Sequence, residues 1–74
     1  MVTLYSKTDC NPCKLLKKKF EREGIEFVER NVQLDADAKA EVEALGYMGV
    51  PVVVAPDGTH FQGIQPDKLA ALRS

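Results

Sequence analysis

Hydrophobic positions change period along the chain, and each change marks an element. Residues 2–6, Val-Thr-Leu-Tyr-Ser, are rich in β-branched and aromatic types and predict a short first strand. A polar junction, residues 7–9, leads to a segment in which Cys13, Leu16 and Phe20 share one helix face while lysines fill the other. Gly24 ends this helix well, because a residue without Cβ takes up the left-handed conformation of a C-terminal cap. Residues 26–32 carry Phe27, Val28 and Val32 with few helix signals, and predict a second strand. Asp35 then offers an N-cap, Asp37 suits the positive end of a helix dipole, and Ala38, Val42 and Leu45 form the apolar stripe of a second helix closed by Gly46. Val52, Val53 and Val54 are a continuous β-branched run, the pattern of a strand buried on both faces. Pro56-Asp57-Gly58 is turn chemistry, after which residues 59–62 return as an antiparallel neighbour. Pro66 fits the first turn of a last helix, with Leu69 and Leu72 facing inward.

The predicted order is β-α-β-α-β-β-α. Strands joined through a helix are expected to lie parallel, and the closing hairpin adds two strands antiparallel to each other. An α/β fold with a four-stranded mixed sheet flanked by three helices follows. There is no internal repeat, low-complexity tract or linker, and 74 residues form one domain, 1–74, with a small core to which every apolar face must contribute.

Composition changes this picture little. At 45% hydrophobic and 28% charged, the chain reads as an ordinary soluble globule, and no apolar run approaches the ~20 residues of a bilayer span. The first residues read as strand and not as a secretory signal, so a cytoplasmic, monomeric protein is expected. A net charge of −1 argues against nucleic acid as a partner. The charge is uneven, however: residues 1–24 carry six cations against three anions, and the remainder sums to −4. One reading is a solvated helix face, on which Lys17 with Glu21 and Lys19 with Glu23 are i,i+4 neighbours; the alternative is a basic rim that steers an acidic partner.

The chemistry concentrates in Cys10-Asn11-Pro12-Cys13, between the first strand and the first helix. C-x-x-C in a βαβ setting reads as a redox pair. Cys10 falls at or beside the helix N-cap, where unpaired N–H groups and the helix dipole stabilise a thiolate, so its pKa is expected to be lowered and Cys10 to be the nucleophile. Lys7 and Lys14 favour that thiolate and Asp9 opposes it. Pro12 loses nothing by lacking an N–H in the first turn and stiffens the loop. Cys13, one turn in on the buried face, is expected to resolve the mixed disulfide. A purely structural disulfide closes too short a loop to stabilise much, about 2 kcal/mol against roughly 3 for a fifteen-residue loop. A zinc site lacks ligands, since only His60 accompanies the two cysteines and scattered carboxylates. His60 itself reads as a surface residue, and no cofactor or metal is expected.

The sequence resembles the thioredoxin superfamily, and within it the glutaredoxin-like branch of NrdH-redoxins. The resemblance spans essentially the whole chain: Tyr5-Ser6-Lys7 before the cysteines, Leu45-Gly46-Tyr47, Val50-Pro51-Val52-Val53-Val54, and Gly63 with Gln65-Pro66-Asp67. It implies the thioredoxin fold, a cis proline at Pro51 opposite the cysteines, and a backbone at Val50 that pairs with an extended substrate segment. Lys7, Thr8, Asn11, Pro12, Val50, Pro51, Phe61, Gly63 and Gln65 are accordingly the expected substrate- or partner-binding residues. Glutaredoxins that draw on glutathione usually carry Gly-Gly-x-x-Asp before the last helix, where this chain reads Gln62-Gly63-Ile64-Gln65-Pro66. Weak glutathione binding is therefore implied, with thioredoxin reductase as electron donor and a class Ib ribonucleotide reductase as acceptor.

The chain also departs from the branch, which often has Cys-Val-Gln-Cys and Trp-Ser-Gly-Phe-(Arg/Gln)-Pro. Its Cys-Asn-Pro-Cys is similar to the Cys-x-Pro-Cys of thioredoxin, which keeps a general disulfide reductase or a glutathione-dependent glutaredoxin open as alternatives. A more remote alternative, the small copper carrier, resembles Met-x-Cys-x-x-Cys with a β-α-β-β-α-β order, whereas Thr8 stands two before Cys10 here.

Overall fold

The structure, a computed structural model, describes residues 1–72. Seven elements follow in the expected order: β1 (Val2–Ser6), α1 (Asn11–Arg22), β2 (Phe27–Asn31), α2 (Ala36–Ala44), β3 (Val52–Val54), β4 (His60–Gln62) and α3 (Pro66–Ala71). The strands form one sheet in the order β2-β1-β3-β4. β1 runs parallel to β2 and antiparallel to β3, and β3 pairs antiparallel with β4.

The parallel rule for strands joined through a helix holds for β1 and β2 but not for β2 and β3. Register gives the reason. β2 ends with Asn31 beside Ser6, and β3 starts with Val52 beside Tyr5, so the segment containing α2 leaves and returns at the same end of the sheet. β3 must then run back. That end is also where β1 hands over to the cysteine segment, so residues 7–13 and residues 46–51 come to the same edge of the fold.

Period-two alternation divides the strands between two cores. Val2 and Leu4 of β1, Val53 of β3 and Phe61 of β4 pack with Leu16 and Phe20 of α1 and Leu69 of α3. Tyr5 and Val52 point the other way and pack with Ala38 and Val42 of α2. The stripe expected on α2 is buried at Ala38 and Val42 and half-buried at Leu45, the C-cap. Phe27 meets Phe20 edge-on with ring centroids 5.2 Å apart, closing the first core at the β2 edge.

Caps explain the helix boundaries. Asp35 Oδ1 accepts from the N–H groups of Asp37 at 3.0 Å and Ala38 at 3.2 Å, which starts α2. Gly24 at φ +70 lets the Ile25 N–H reach back to the Phe20 carbonyl at 2.9 Å, which stops α1. A β-carbon would oppose that φ.

Candidate active site

Cys10 is the N-cap of α1 and sits in extended backbone at φ −104, ψ 105. Its Sγ accepts the Cys13 N–H at 3.2 Å, and its carbonyl accepts the Lys14 N–H at 3.1 Å. The sulfur thus occupies the position of a capping oxygen, within the positive end of the helix dipole. Pro12 lies in the first turn, which holds no acidic residue. Cys10 and Cys13 form a disulfide with Cα atoms 5.2 Å apart, so the structure holds the oxidised pair. Cys13 shares the buried face of α1 with Leu16 and Phe20, while Asn11, Pro12 and Lys14 are exposed around Cys10.

Asp9, which precedes Cys10, has φ +57, a left-handed conformation that aspartate tolerates better than most residues. This turn swings the chain from β1 into the helix. Thr8 is fastened next to it: its N–H donates to Gln33 Oε1 at 3.2 Å and its Oγ1 accepts from Asn31 Nδ2 at 3.3 Å. Thr8 therefore ties the cysteine loop to the end of β2.

The Val50-Pro51 peptide is cis, and Pro51 is buried at the start of β3. An open groove of about 550 Å³ runs beside this segment, lined by Lys7, Leu34, Lys39, Tyr47, Met48 and Val50 among others. Leu34 and Met48 are fully or largely exposed. Gly63 at φ +79 turns the chain after β4, and its N–H donates to the Pro51 carbonyl at 2.8 Å. Gln65 caps α3 without a side-chain bond to the helix, and its Nε2 donates to the Gln62 carbonyl at 2.8 Å.

Two expectations are corrected. Phe61, expected at the binding surface, is 2% exposed and lies in the core under α1 and α3, with the Lys68 ammonium 5.9 Å from its ring centre. The alternation of β4 turns it inward, so it offers a partner no surface. His60, expected as a surface residue, is half-buried: its Nδ1 lies 2.7 Å from Tyr47 Oη in a hydrogen bond, and the two rings meet edge-on. Thirteen residues separate them, and no local period announces such a pairing.

Charged groups brace both faces of the sheet. On the α1 side, the buried Ser6 hydroxyl donates to Glu29 at 2.7 Å, and Lys17 donates to the other carboxylate oxygen at 3.1 Å. The Ser6 bond, followed by Lys17, holds the Glu29 carboxyl below its ordinary value against the opposing effect of burial. On the α2 side, Tyr5 Oη donates to Glu41 at 2.6 Å while Arg30 bonds Glu41 at 2.6 Å and Asp35 at 3.2 Å. Arg30 lowers the Glu41 pKa first and Tyr5 second; burial, then Glu41, raises that of Tyr5. Among the described residues no cluster of three or more His, Cys, Asp or Glu side chains is arranged to hold a metal ion.

A helix-capping dithiol at the carboxyl end of a central β-strand, on a β2-β1-β3-β4 sheet with a cis proline leading into the neighbouring β3, defines the class of thioredoxin-fold thiol–disulfide oxidoreductases. The chain belongs to the glutaredoxin family, whose profile matches residues 2–61, and to its NrdH-like branch. It is 36% identical to the glutaredoxin-like protein NrdH of Lactococcus lactis over 97% of this chain and 99% of that one. Among solved structures, the glutaredoxin-like NrdH-redoxin of Escherichia coli superposes with a TM-score of 0.90 at 32% identity, covering 99% and 95% of the two chains. The thioredoxin-like protein BC3987 gives 0.87 at 29% identity, covering 97% and 99%. The order of elements also removes the copper-carrier alternative, whose β-α-β-β-α-β course has no place for α3 after β4.

Proposed function

We propose that this chain is a cytoplasmic dithiol electron carrier, reduced by thioredoxin reductase and passing electrons to a class Ib ribonucleotide reductase. The observation that supports it most is the likeness, over nearly the full chain, to NrdH proteins, one of which has a thioredoxin-like activity profile. The last turn before α3 supports weak binding of glutathione. A nest for a carboxylate needs successive free N–H groups. Here the Gly63 N–H is already given to Pro51, and Pro66 has none to give.

In the reaction, the Cys10 thiolate attacks one sulfur of a substrate disulfide, and the electron pair of that bond departs on the other sulfur. The Cys13 thiolate then attacks Cys10 Sγ, releasing the second substrate thiolate and leaving the Cys10-Cys13 disulfide. Two electrons have passed to the substrate, and the reductase restores them. The Cys13 N–H, directed at Cys10 Sγ in the oxidised form, is the donor placed to stabilise the Cys10 thiolate once the bond opens. Val50, beside the groove, presents its backbone to an extended substrate segment. A second reading, a general disulfide reductase, is favoured by Pro12 directly before Cys13, which makes the motif similar to the Cys-x-Pro-Cys of thioredoxin.

NADPH oxidation coupled through purified thioredoxin reductase, compared with glutathione and glutathione reductase, tests the donor. Turnover is expected with the first system, and faster turnover with the second overturns the proposal. Replacing Cys13 by Ser is expected to trap the acceptor as a mixed disulfide on Cys10, and mass spectrometry identifies both the acceptor and the cysteine that holds it.

A further inference from the structure

The segment that carries Val50 has no secondary structure of its own, yet it is fixed at alternate residues. Tyr47 shares its hydrogen bond with His60 Nδ1, Gly49 accepts at 2.9 Å from Gln62 Nε2, and Pro51 accepts from the Gly63 N–H. All the partners belong to β4 or the residue after it. His60 and Gln62 stand two apart, so they leave β4 on the same face, opposite the inward Phe61. The intervening residues are left without such a brace: Met48 is fully exposed, and Val50, which lines the groove, makes no backbone hydrogen bond among the described residues.

We propose that His60 and Gln62 are positioning residues that hold residues 47–51 as a mock strand, so that Val50 meets an incoming protein disulfide in a fixed register. The inference rests on the protein-disulfide reading above and adds which side chains prepare the docking edge. An unbraced loop must be ordered at the moment of binding, and that entropy cost weakens association without touching the cysteines. The effect therefore falls on the affinity for extended protein substrates. Reaction with a small disulfide, which has no backbone to pair, is spared.

The experiment uses Tyr47→Phe, His60→Phe, the double variant and Gln62→Met, with dithiothreitol as the electron source so that the result is independent of any reductase. Insulin is the protein disulfide and cystamine the small one. Each single variant is expected to raise the KM for insulin by about threefold to tenfold, the worth of one hydrogen bond, with kcat and the cystamine rate nearly unchanged. Tyr47→Phe and His60→Phe remove opposite ends of one bond, so the double variant is expected to be no worse than either alone. Unchanged KM for insulin in all variants overturns the proposal, even if their thermal midpoints fall. Equal losses on insulin and cystamine also overturn it, because the residues would then act on the cysteines. If the unsubstituted chain reduces cystamine but not insulin, the protein-substrate reading itself fails, and the positioning role with it.

Discussion

On the face of the sheet carrying α1 and α3, Leu4, Leu16, Phe20, Val53, Phe61 and Leu69 are each at most 2% exposed. On the face carrying α2 the buried set is shorter, Tyr5, Ala38, Val42 and Val52, and the contact is completed by Arg30, Glu41, Asp35 and the Tyr5 hydroxyl. The first layer adds one ion pair, Lys17 with Glu29, to a large apolar core, and the second adds two, Arg30 with Asp35 and Glu41, to a smaller one. The cysteines belong to the first layer, through α1. The groove and the Val50 segment belong to the second. The division places the cysteines on the layer with the larger apolar core, and the groove on the layer with more contacts that depend on pH and salt.

Substitution at the centre of the apolar face gives the largest effect. Phe20→Ala is expected to cost about 3–5 kcal/mol by removing a fully buried ring and leaving a cavity, enough to unfold much of a domain this small; urea titration followed by circular dichroism measures it. Val42→Ala on the other face is expected to cost about 2 kcal/mol by the same measurement, because two buried carbons are lost under α2. A result in the opposite order would erase the distinction between the layers.

Acid sharpens the comparison with a smaller effect. Arg30 foremost lowers the Glu41 pKa, and the Ala38 N–H foremost, then Arg30, lowers that of Asp35. A carboxyl with a depressed folded-state pKa stabilises above its unfolded value and loses that contribution as pH falls through the folded one. The urea midpoint is therefore expected to fall as pH drops below the ordinary carboxylate range, and Arg30→Met to flatten that fall. Glu29 on the α1 side obeys the same sign, so part of the acid dependence must survive in Arg30→Met. A variant with no acid dependence left would place the whole effect on the α2 layer.

The elements were legible because their signals are local. Helix spacing at Cys13, Leu16 and Phe20, the Asp35 cap, the valine run and the Pro56-Asp57-Gly58 turn each depend on residues within a few positions of one another. The cysteine pair was legible for the same reason. Tyr5 with Glu41, Arg30 with Glu41 and Tyr47 with His60 were not, because they join elements whose relative register one sequence does not state. Phe61 went astray in a strand of three residues, where alternation has too few members to fix its phase. Sliding β4 by one residue would have exchanged Phe61 with its neighbours, and only the pairing of Phe61 with Val53 decides between them.

The strand order also leaves β2 and β4 with one unpaired side each. Such margins invite a neighbouring molecule to add its own backbone, the first step of aggregation. β4 is only three residues long. β2 is longer and exposes Val28, but Glu29 and Arg30 follow it directly, and joining two such margins would strip water from charges already engaged with Lys17 and Glu41. The same ion pairs that fasten the helices to the sheet thus guard its open border.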